Sequence, residues 1–142
     1  MSFYVDSSFL VSRYIEDTHS EKVDKLLSTK PFIWVTQFNR SEIANAIHRQ
    51  TFLKHLLFSE AQDAWKDFEQ DCQLGIWIEA KFPERAWETS IALAQQFSTT
   101  LGVRTVDSLH VACALELHAE RFWTFDDRQA KLAEAVGLNT SA

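Results

Sequence analysis

The sequence predicts an α/β fold with a short parallel sheet, formed as one domain over residues 1–142. The chain has 142 residues, of which 46% are hydrophobic. A domain of this size buries roughly 70% of the surface of its unfolded chain, so it needs no disulfide or structural metal to hold it together. Short apolar runs alternate with stretches of helical periodicity, the pattern of β-α-β units with parallel strands. We expect about four or five strands, sandwiched by about seven helices, because no internal repeat, low-complexity tract or linker divides the chain.

The first elements follow one another closely. Phe3–Val5 is a short apolar run, typical of a strand buried on both faces. A helical stretch follows from about residue 8 to residue 16. A capping box that starts at Thr18 predicts a second helix, which ends at about Leu27. The apolar run Phe32–Val35 then predicts the second strand.

The middle of the chain is predominantly helical. Apolar residues at helical spacing begin at Ile43 and predict a helix that runs on to about Leu57. A second capping box, at Ser59, opens a helix that reaches about Cys72. A glycine ends this helix, and the apolar run Ile76–Ile78 predicts the third strand.

The last part of the chain contains three helices and one strand. Apolar periodicity predicts a helix from about residue 83 to residue 97. The segment Val106–Leu117 is apolar nearly all round, as expected for a helix packed against a sheet. Arg121–Phe125 predicts the fourth strand, and a last helix covers Ala130–Ala135, where a glycine ends it.

Composition narrows the classes of function. The formal net charge of −6 argues against a broad electrostatic clamp on nucleic acid, because lysine and arginine are what displace phosphate counterions. The charge is compatible with a small site where metal ions supply positive charge, and it favours a basic protein partner. Cys72 and Cys113 lack metal-binding spacing, so we interpret them as buried thiols. No leader pattern and no apolar segment of transmembrane length is visible, which predicts a cytoplasmic protein.

Four acidic residues are placed by sequence near one edge of the predicted sheet. Asp6 directly follows the first strand and Asp126 follows the fourth, while Glu42 lies early in the helix after the second strand. Asp107 begins the helix that leads into the fourth strand. Ligands of open α/β sheets bind outside the carboxyl ends of the strands. Carboxylates without histidine or cysteine select hard ions, so these acids predict a Mg²⁺ or Mn²⁺ site.

Each aspartate also has a structural alternative. Asp6, Asp107 and Asp126 could be helix N-terminal residues that the helix dipole favours. Glu42 lies within an apolar helix start, where a solvated salt bridge is less natural. Because four acids at one edge would repel one another without a cation, we favour their joint function over a coincidence of structural roles.

Several segments of the sequence resemble those of a known family. The segments YVDSSFLVSRYI, RSEIANAI, RTVDSLHVACAL and WTFDDRQAKLAEAVGL look like the signature regions of PIN-domain nucleases, and of VapC-type toxins of type II toxin–antitoxin systems in particular. The resemblance covers nearly the whole chain, and its last region is the most specific. It implies a PIN-like domain with a short parallel sheet between helices.

The resemblance also implies an activity and a set of partners. It implies a metal-dependent endoribonuclease that cuts single-stranded or structured RNA, inhibited by a cognate antitoxin and assembled as a homodimer. The acids Asp6, Glu42, Asp107 and Asp126 would be both catalytic residues and the ligands of Mg²⁺ or Mn²⁺. Thr124 matches a small hydroxyl residue that helps to shape the site, and Ser8 matches a small polar position near the first acid. Asp127, an additional acid, is interpreted as helix N-terminal.

Several alternatives stay open. Arg104 and Arg128 could contact substrate phosphate or could neutralise nearby carboxylates. His110 could orient Asp107, although a satisfied core histidine is the more common outcome. A phosphatase of the haloacid-dehalogenase kind would need a second Asp where this chain has Ser8. A PIN-like module that only binds a partner would have no reason to keep four repelling acids.

An apolar run near the predicted helix–helix connection has two interpretations. It comprises Phe52, Leu53, Leu56, Leu57 and Phe58. The run could pack on the following helix around Trp65 and Phe68, or it could form the surface that binds a second copy or an antitoxin segment.

Overall fold

The computed structural model describes residues 2–140 and separates into two compact units. The terminal unit holds the residues up to Asp6 and those from Lys81 onward, and the middle unit holds Ser7–Ala80. In chain order the elements are β1 (Ser2–Val5), α1 (Ser7–Tyr14), α2 (Ser20–Leu27), β2 (Phe32–Val35), α3 (Gln37–Phe52), α4 (Phe58–Gln73), β3 (Ile78–Glu79), α5 (Ala86–Leu101), α6 (Thr105–Glu116), β4 (Arg121–Trp123) and α7 (Asp127–Ala135).

The terminal unit is built on a parallel pair of strands, β1 and β4. Tyr4 lies opposite Phe122 in the register, and their rings stack with centroids 5.6 Å apart. The backbone N–H of Asp6 donates to the carbonyl oxygen of Trp123 at 3.0 Å. Asp6 is therefore held at the carboxyl end of this strand pair by main-chain hydrogen bonding.

Helix α6 is buried along most of its length. Every residue from Asp107 to Ala114 is buried, including the polar side chains Asp107, Ser108 and His110. The prediction of a helix enclosed on most sides is confirmed for this stretch, whereas Val106 is exposed. The helix packs against α5 and α7 within the same unit. Burying a polar group is costly unless it is hydrogen-bonded. Asp107 and His110 have such partners, whereas the buried Ser108 hydroxyl has none among the described residues.

The middle unit has its own parallel strand pair, β2 and β3, with Trp34 opposite Ile78. Helix α1 packs against α2, α3 and α4, and α3 packs against α4. Ile43, Ile47 and Phe68 are completely buried. The apolar periodicity that begins at Ile43 therefore marks the buried face of α3, as the sequence predicted.

The predicted third strand was misplaced. Ile76–Ile78 was predicted, but β3 contains only Ile78 and Glu79. Gly75 adopts a φ of +75°, and the N–H of Ile76 donates to the carbonyl of Asp71 at 3.0 Å. Because this backbone donor closes the end of α4, it is unavailable to a strand, and the Ile76 side chain is exposed.

Helix starts and ends also differ from the sequence prediction. The N-cap of α2 is His19, whose side chain makes no capping hydrogen bond, so the box predicted to start at Thr18 is not the one that begins this helix. The box expected at Ser59 begins earlier, because Glu60 accepts the backbone N–H of Leu57 at 2.8 Å. Helix α3 ends at Phe52 instead of continuing to Leu57, and Lys54 follows with a φ of +62°.

The predicted fold class is confirmed in its elements. Residues 2–140 form four strands and seven helices, and both strand pairs described above are parallel. Within the described part of the chain, no helix is long and apolar enough to cross a membrane.

Candidate active site

Asp107 lies in the first turn of α6 and is 1% exposed. Its carboxylate accepts the backbone N–H of Arg104, which precedes the helix, at 3.0 Å. This bond satisfies one of the donors that a helix start leaves open, and the positive end of the helix dipole favours the negative charge. The local role predicted as an alternative for Asp107 therefore exists, and it orients the carboxylate.

Asp126 is the N-cap of α7. Its Oδ1 accepts the backbone N–H of Gln129 at 3.0 Å, and its own N–H donates to Thr124 Oγ1 at 3.0 Å. Thr124 thus orients the backbone at Asp126, which is a physical basis for the site-shaping role that the resemblance implies. Asp127 is the first residue of α7 and is exposed, in agreement with its interpretation as a helix N-terminal residue.

One guanidinium group joins two of the predicted acids. Arg104 Nη2 lies 3.4 Å from Asp107 Oδ1 and 3.4 Å from Asp126 Oδ2, and Arg104 Nε lies 3.3 Å from Asp107 Oδ2. Asp107, with further attraction from Asp126 and Asp6, raises the pKa of Arg104. The structure therefore places Arg104 among the acids as a neutralising charge, although its side chain is 64% exposed.

Within the terminal unit, the Asp6 side chain lies beside His110. His110 Nε2 lies 3.4 Å from Asp6 Oδ1, and the other ring nitrogen, Nδ1, lies 2.7 Å from the hydroxyl oxygen of Tyr4. His110 is completely buried and Asp6 is largely buried. The sequence suggested Asp107 as the acid that His110 could orient, but the structure brings His110 to Asp6.

Glu42 belongs to α3 of the middle unit. Ser7 Oγ donates to Glu42 Oε1 at 2.7 Å, and Asn39 Nδ2 donates to Ser7 Oγ at 3.2 Å. Asn39 is itself fixed by Thr36, the N-cap of α3, whose N–H donates to Asn39 Oδ1 at 2.9 Å. Ser8, the supporting serine chosen from the sequence, is exposed. Its neighbour Ser7, which was not singled out from the sequence, donates to Glu42.

The carboxylate oxygens of these acids are the kind of ligand that a hard divalent ion prefers. Their side chains do not, however, form a ready-made set of metal ligands in the described residues. Within either unit, no three His, Cys, Asp or Glu side chains of the described residues are arranged to hold a metal ion. Arg104 provides the cation between Asp107 and Asp126. Gln129 Nε2 lies 3.5 Å from Asp107 Oδ1, and the buried Gln129 Oε1 has no hydrogen-bond partner in the described chain. An unsatisfied buried oxygen beside a carboxylate is consistent with a water or ion ligand at this position.

A family model of the PIN domain matches residues 3–135. This chain belongs to the PIN domain family. The match confirms the resemblance to the PIN domain family that was inferred from the signature segments. It spans residues of both units.

Solved structures show the PIN fold over nearly the whole chain. The VapC20 toxin of Mycobacterium tuberculosis, described as cleaving the sarcin-ricin loop, is 15% identical with a TM-score of 0.72 over 98% of each chain. VapBC2 of Rickettsia felis, solved with a promoter DNA fragment, is 14% identical with a TM-score of 0.68, over 99% of this chain and 98% of that chain. FitAcB of Neisseria gonorrhoeae is 12% identical with a TM-score of 0.70, over 99% of this chain and 96% of that chain. At these identities the similarity concerns the fold, and the predicted PIN-like α/β fold is confirmed. No curated protein matches significantly by sequence.

Proposed function

We propose that this PIN domain is a metal-dependent endoribonuclease and the toxin of a toxin–antitoxin pair. The observation that carries the proposal is the shared contact of Asp107 and Asp126 with Arg104, since it brings together two acids of the family signature from different helices. Structural similarity to the VapC20 toxin and to VapBC2 supports the toxin assignment. The PIN match across both units supports one domain over residues 1–142.

Asp6, Asp107 and Asp126 are the candidates to hold Mg²⁺ or Mn²⁺, and Glu42 would be a further ligand or would orient the attacking water. When bound, such an ion lowers the pKa of a water and neutralises charge on the leaving oxygen of a phosphodiester. The chain's own contribution is orientation. Helix starts fix Asp107 and Asp126, a strand end fixes Asp6, and Ser7 fixes Glu42.

The proposed substrate is RNA, either single-stranded or structured. The chain has 14 Lys and Arg residues against 20 Asp and Glu residues, so it lacks the excess of cations that binds a long nucleic acid nonspecifically. Recognition should therefore depend on a few local cations, of which Arg104 and Arg128 lie close in sequence to the acids. VapC20 is described as cleaving the sarcin-ricin loop, so we include structured RNA among the substrates to be tested. We propose that the enzyme acts in the cytoplasm, on cellular RNA.

The proposed partners are a cognate antitoxin and a second copy of this chain. VapBC2 and FitAcB are among the proteins with the same fold. An acidic chain suits a basic antitoxin segment that places arginine or lysine among the carboxylates. Arg104 already makes such a contact within the chain, which indicates that the acids accept a guanidinium group.

The direct test is cleavage of a mixed RNA pool by the purified protein with Mg²⁺, with Mn²⁺ and with chelator, followed by mapping of the ends. We expect cleavage only with a divalent ion. Asp107→Asn should lower the rate by about 100-fold or more, since even residues that only orient metal ligands contribute about 10–100-fold. A melting curve would verify that the variant is folded.

Asp127→Asn provides the matched control, because it makes the same charge change at the exposed first residue of α7. It should cleave like the wild type. An Asp107→Asn protein with a near-native rate would refute the catalytic assignment. A wild type that cuts no RNA with either ion would favour a non-catalytic PIN-like binding module, and release of phosphate from a monoester would favour a phosphatase.

A further inference from the structure

A series of close polar contacts leads from the buried side chains Tyr4 and His110, in the interior of the terminal unit, to Asp6. Tyr4 and His110 are both completely buried, and the Tyr4 hydroxyl oxygen lies 2.7 Å from His110 Nδ1. On the other side of the ring, Nε2 lies 3.4 Å from Asp6 Oδ1. These contacts therefore connect Tyr4 and His110 with Asp6, one of the acids proposed above as metal ligands.

The chemistry of Tyr4 and His110 determines which group donates and which accepts in each contact. The Tyr4 hydroxyl is buried and needs an acceptor inside the protein, and an imidazole nitrogen is a stronger acceptor than the Cys113 sulfur, which also interacts with this hydroxyl. Burial raises the pKa of Cys113 to about 12, so this group stays a thiol that can donate to the Tyr4 oxygen. If Tyr4 donates to Nδ1, a neutral His110 must carry its proton on Nε2, the nitrogen that faces Asp6.

We propose that Tyr4 and His110 are positioning residues for Asp6: the Tyr4 hydroxyl holds His110 in the Nε2–H tautomer, and this N–H donates to Asp6 Oδ1. The proposal rests on the proposed function, in which Asp6 is a metal ligand. Residues that hydrogen bond to ligating carboxylates fix their orientation, and losing them typically weakens metal affinity or activity by about 10–100-fold. A donor distance of 3.4 Å is compatible with this role, since catalytic hydrogen bonds often tighten only in the working complex.

The tautomer can be measured without any metal. In protein labelled with ¹⁵N histidine, the two ring nitrogen shifts of His110 distinguish the Nε2–H form from the Nδ1–H form and from the charged ring. We expect the Nε2–H form in metal-free wild-type protein. Either of the other forms would overturn the proposal, because Tyr4 could then no longer be the donor to Nδ1. This measurement needs no variant, so it decides the matter even if the variants fold poorly.

The variant Tyr4→Phe tests the consequence. It removes the hydroxyl and keeps the ring that stacks on Phe122. We expect the ¹⁵N shifts of His110 to move toward a mixture of tautomers and the Mn²⁺ affinity, measured by calorimetry, to fall about tenfold. RNA cleavage should fall mainly through kcat, with the KM for RNA retained, because Asp6 is assigned to the metal and not to substrate contact.

Tyr14→Phe is the matched control. It deletes another hydrogen-bonded tyrosine hydroxyl, whose partners are Asp71 and Trp77 instead of a candidate acid. It should leave the His110 shifts and the Mn²⁺ affinity at wild-type values. Equal loss of Mn²⁺ affinity in both variants would overturn the positioning role, and so would an unchanged affinity in Tyr4→Phe. A wild type that binds no Mn²⁺ would instead refute the proposed function itself, which keeps the two failures distinct.

Discussion

Arg104 contacts two carboxylates through its guanidinium group, so one of the two roles that the sequence left open for it, the neutralisation of nearby carboxylates, is formed in this structure. The distances of 3.3–3.4 Å to Asp107 and Asp126 show that it neutralises them in the metal-free chain. A divalent ion at the same acids would compete with this positive charge. Arg104 is therefore expected to lower metal affinity, whatever else it does with substrate.

We predict that Arg104→Gln raises the affinity for Mn²⁺. The Arg104 side chain is 64% exposed, and an ion pair with a solvated partner of this kind is worth about 0–1 kcal/mol, so the gain should be at most about fivefold. Calorimetric titration with Mn²⁺ measures it. Arg128→Gln removes the same charge from a residue whose described contact is the carbonyl of Gly102, at 3.5 Å, and should change affinity less. A lower Mn²⁺ affinity in Arg104→Gln would contradict the competition argument.

Sequence alone located acids better than it located their partners. The sequence placed Asp6 and Asp126 at the sheet edge because each directly follows a predicted apolar strand, although β4 itself ends at Trp123, and it placed Asp107 there because this residue opens a helix. The contact of His110 with Asp6 could not be predicted, because the two residues are far apart in sequence and only tertiary packing joins them. Ser7 was missed for a related reason, since the choice between two adjacent serines depends on which one the start of α1 directs toward Glu42.

Helix termini bring the acids of the terminal unit into position. Asp107 accepts a backbone N–H at the start of α6, and Asp126 does the same at the start of α7. The structural and the functional explanations of these residues, which the sequence presented as alternatives, are therefore compatible. A helix start orients a carboxylate firmly while leaving it beside other charges.

This double role can be separated at Asp126. We predict that Asp126→Asn keeps nearly all of the stability, because asparagine is as good an N-cap as aspartate, whereas Asp126→Ala costs about 1 kcal/mol. Urea denaturation with chelator present measures the difference. Both variants should lose most of the rise in Tm that Mn²⁺ causes in the wild type, since that rise reflects binding to the folded state alone.

Two results would contradict this argument in different ways. Equal stability of the Asn and Ala variants would show that the cap contributes little. A full Mn²⁺-dependent rise in Tm in Asp126→Asn would place the ion at other residues.

At the level of elements, apolar pattern predicted the existence of strands and helices more accurately than their ends. Ile76 belongs to an apolar run, yet its N–H donates to the Asp71 carbonyl at the end of α4, after Gly75 has taken a positive φ. Such closure depends on a positive φ at one glycine, and an apolar pattern contains no information about it. The prediction that α3 reaches Leu57 was wrong for a similar reason. The helix ends at Phe52, and Lys54 then takes a positive φ.

At the scale of the whole molecule, two properties determine which partners we expect. One is the net charge of −6, and the other is an exposed apolar surface. The α3–α4 patch, defined as Phe52, Leu53, Leu57 and Phe58, consists of exposed side chains. Phe52 is 80% exposed. Phe52, Leu57 and Phe58 keep more than half of their surface exposed, so packing on the following helix does not account for these three side chains. Contiguous exposed apolar groups of this kind commonly mark interaction surfaces.

We predict that Phe52→Glu weakens self-association or antitoxin capture while changing the free energy of unfolding by less than about 0.5 kcal/mol, as exposed substitutions usually do. Light scattering measures self-association, a pull-down with the cognate antitoxin measures capture, and urea denaturation measures stability.

Leu74→Glu is the matched control, because Leu74 is 68% exposed in the same unit but lies outside the patch. Leu56 is only half-buried and lines two cavities beside the patch, so Leu56→Glu should reduce stability as well as assembly. If Phe52→Glu assembles and captures antitoxin as the wild type does, the patch is not the interface, and equal losses in Leu74→Glu would attribute the effect to added charge.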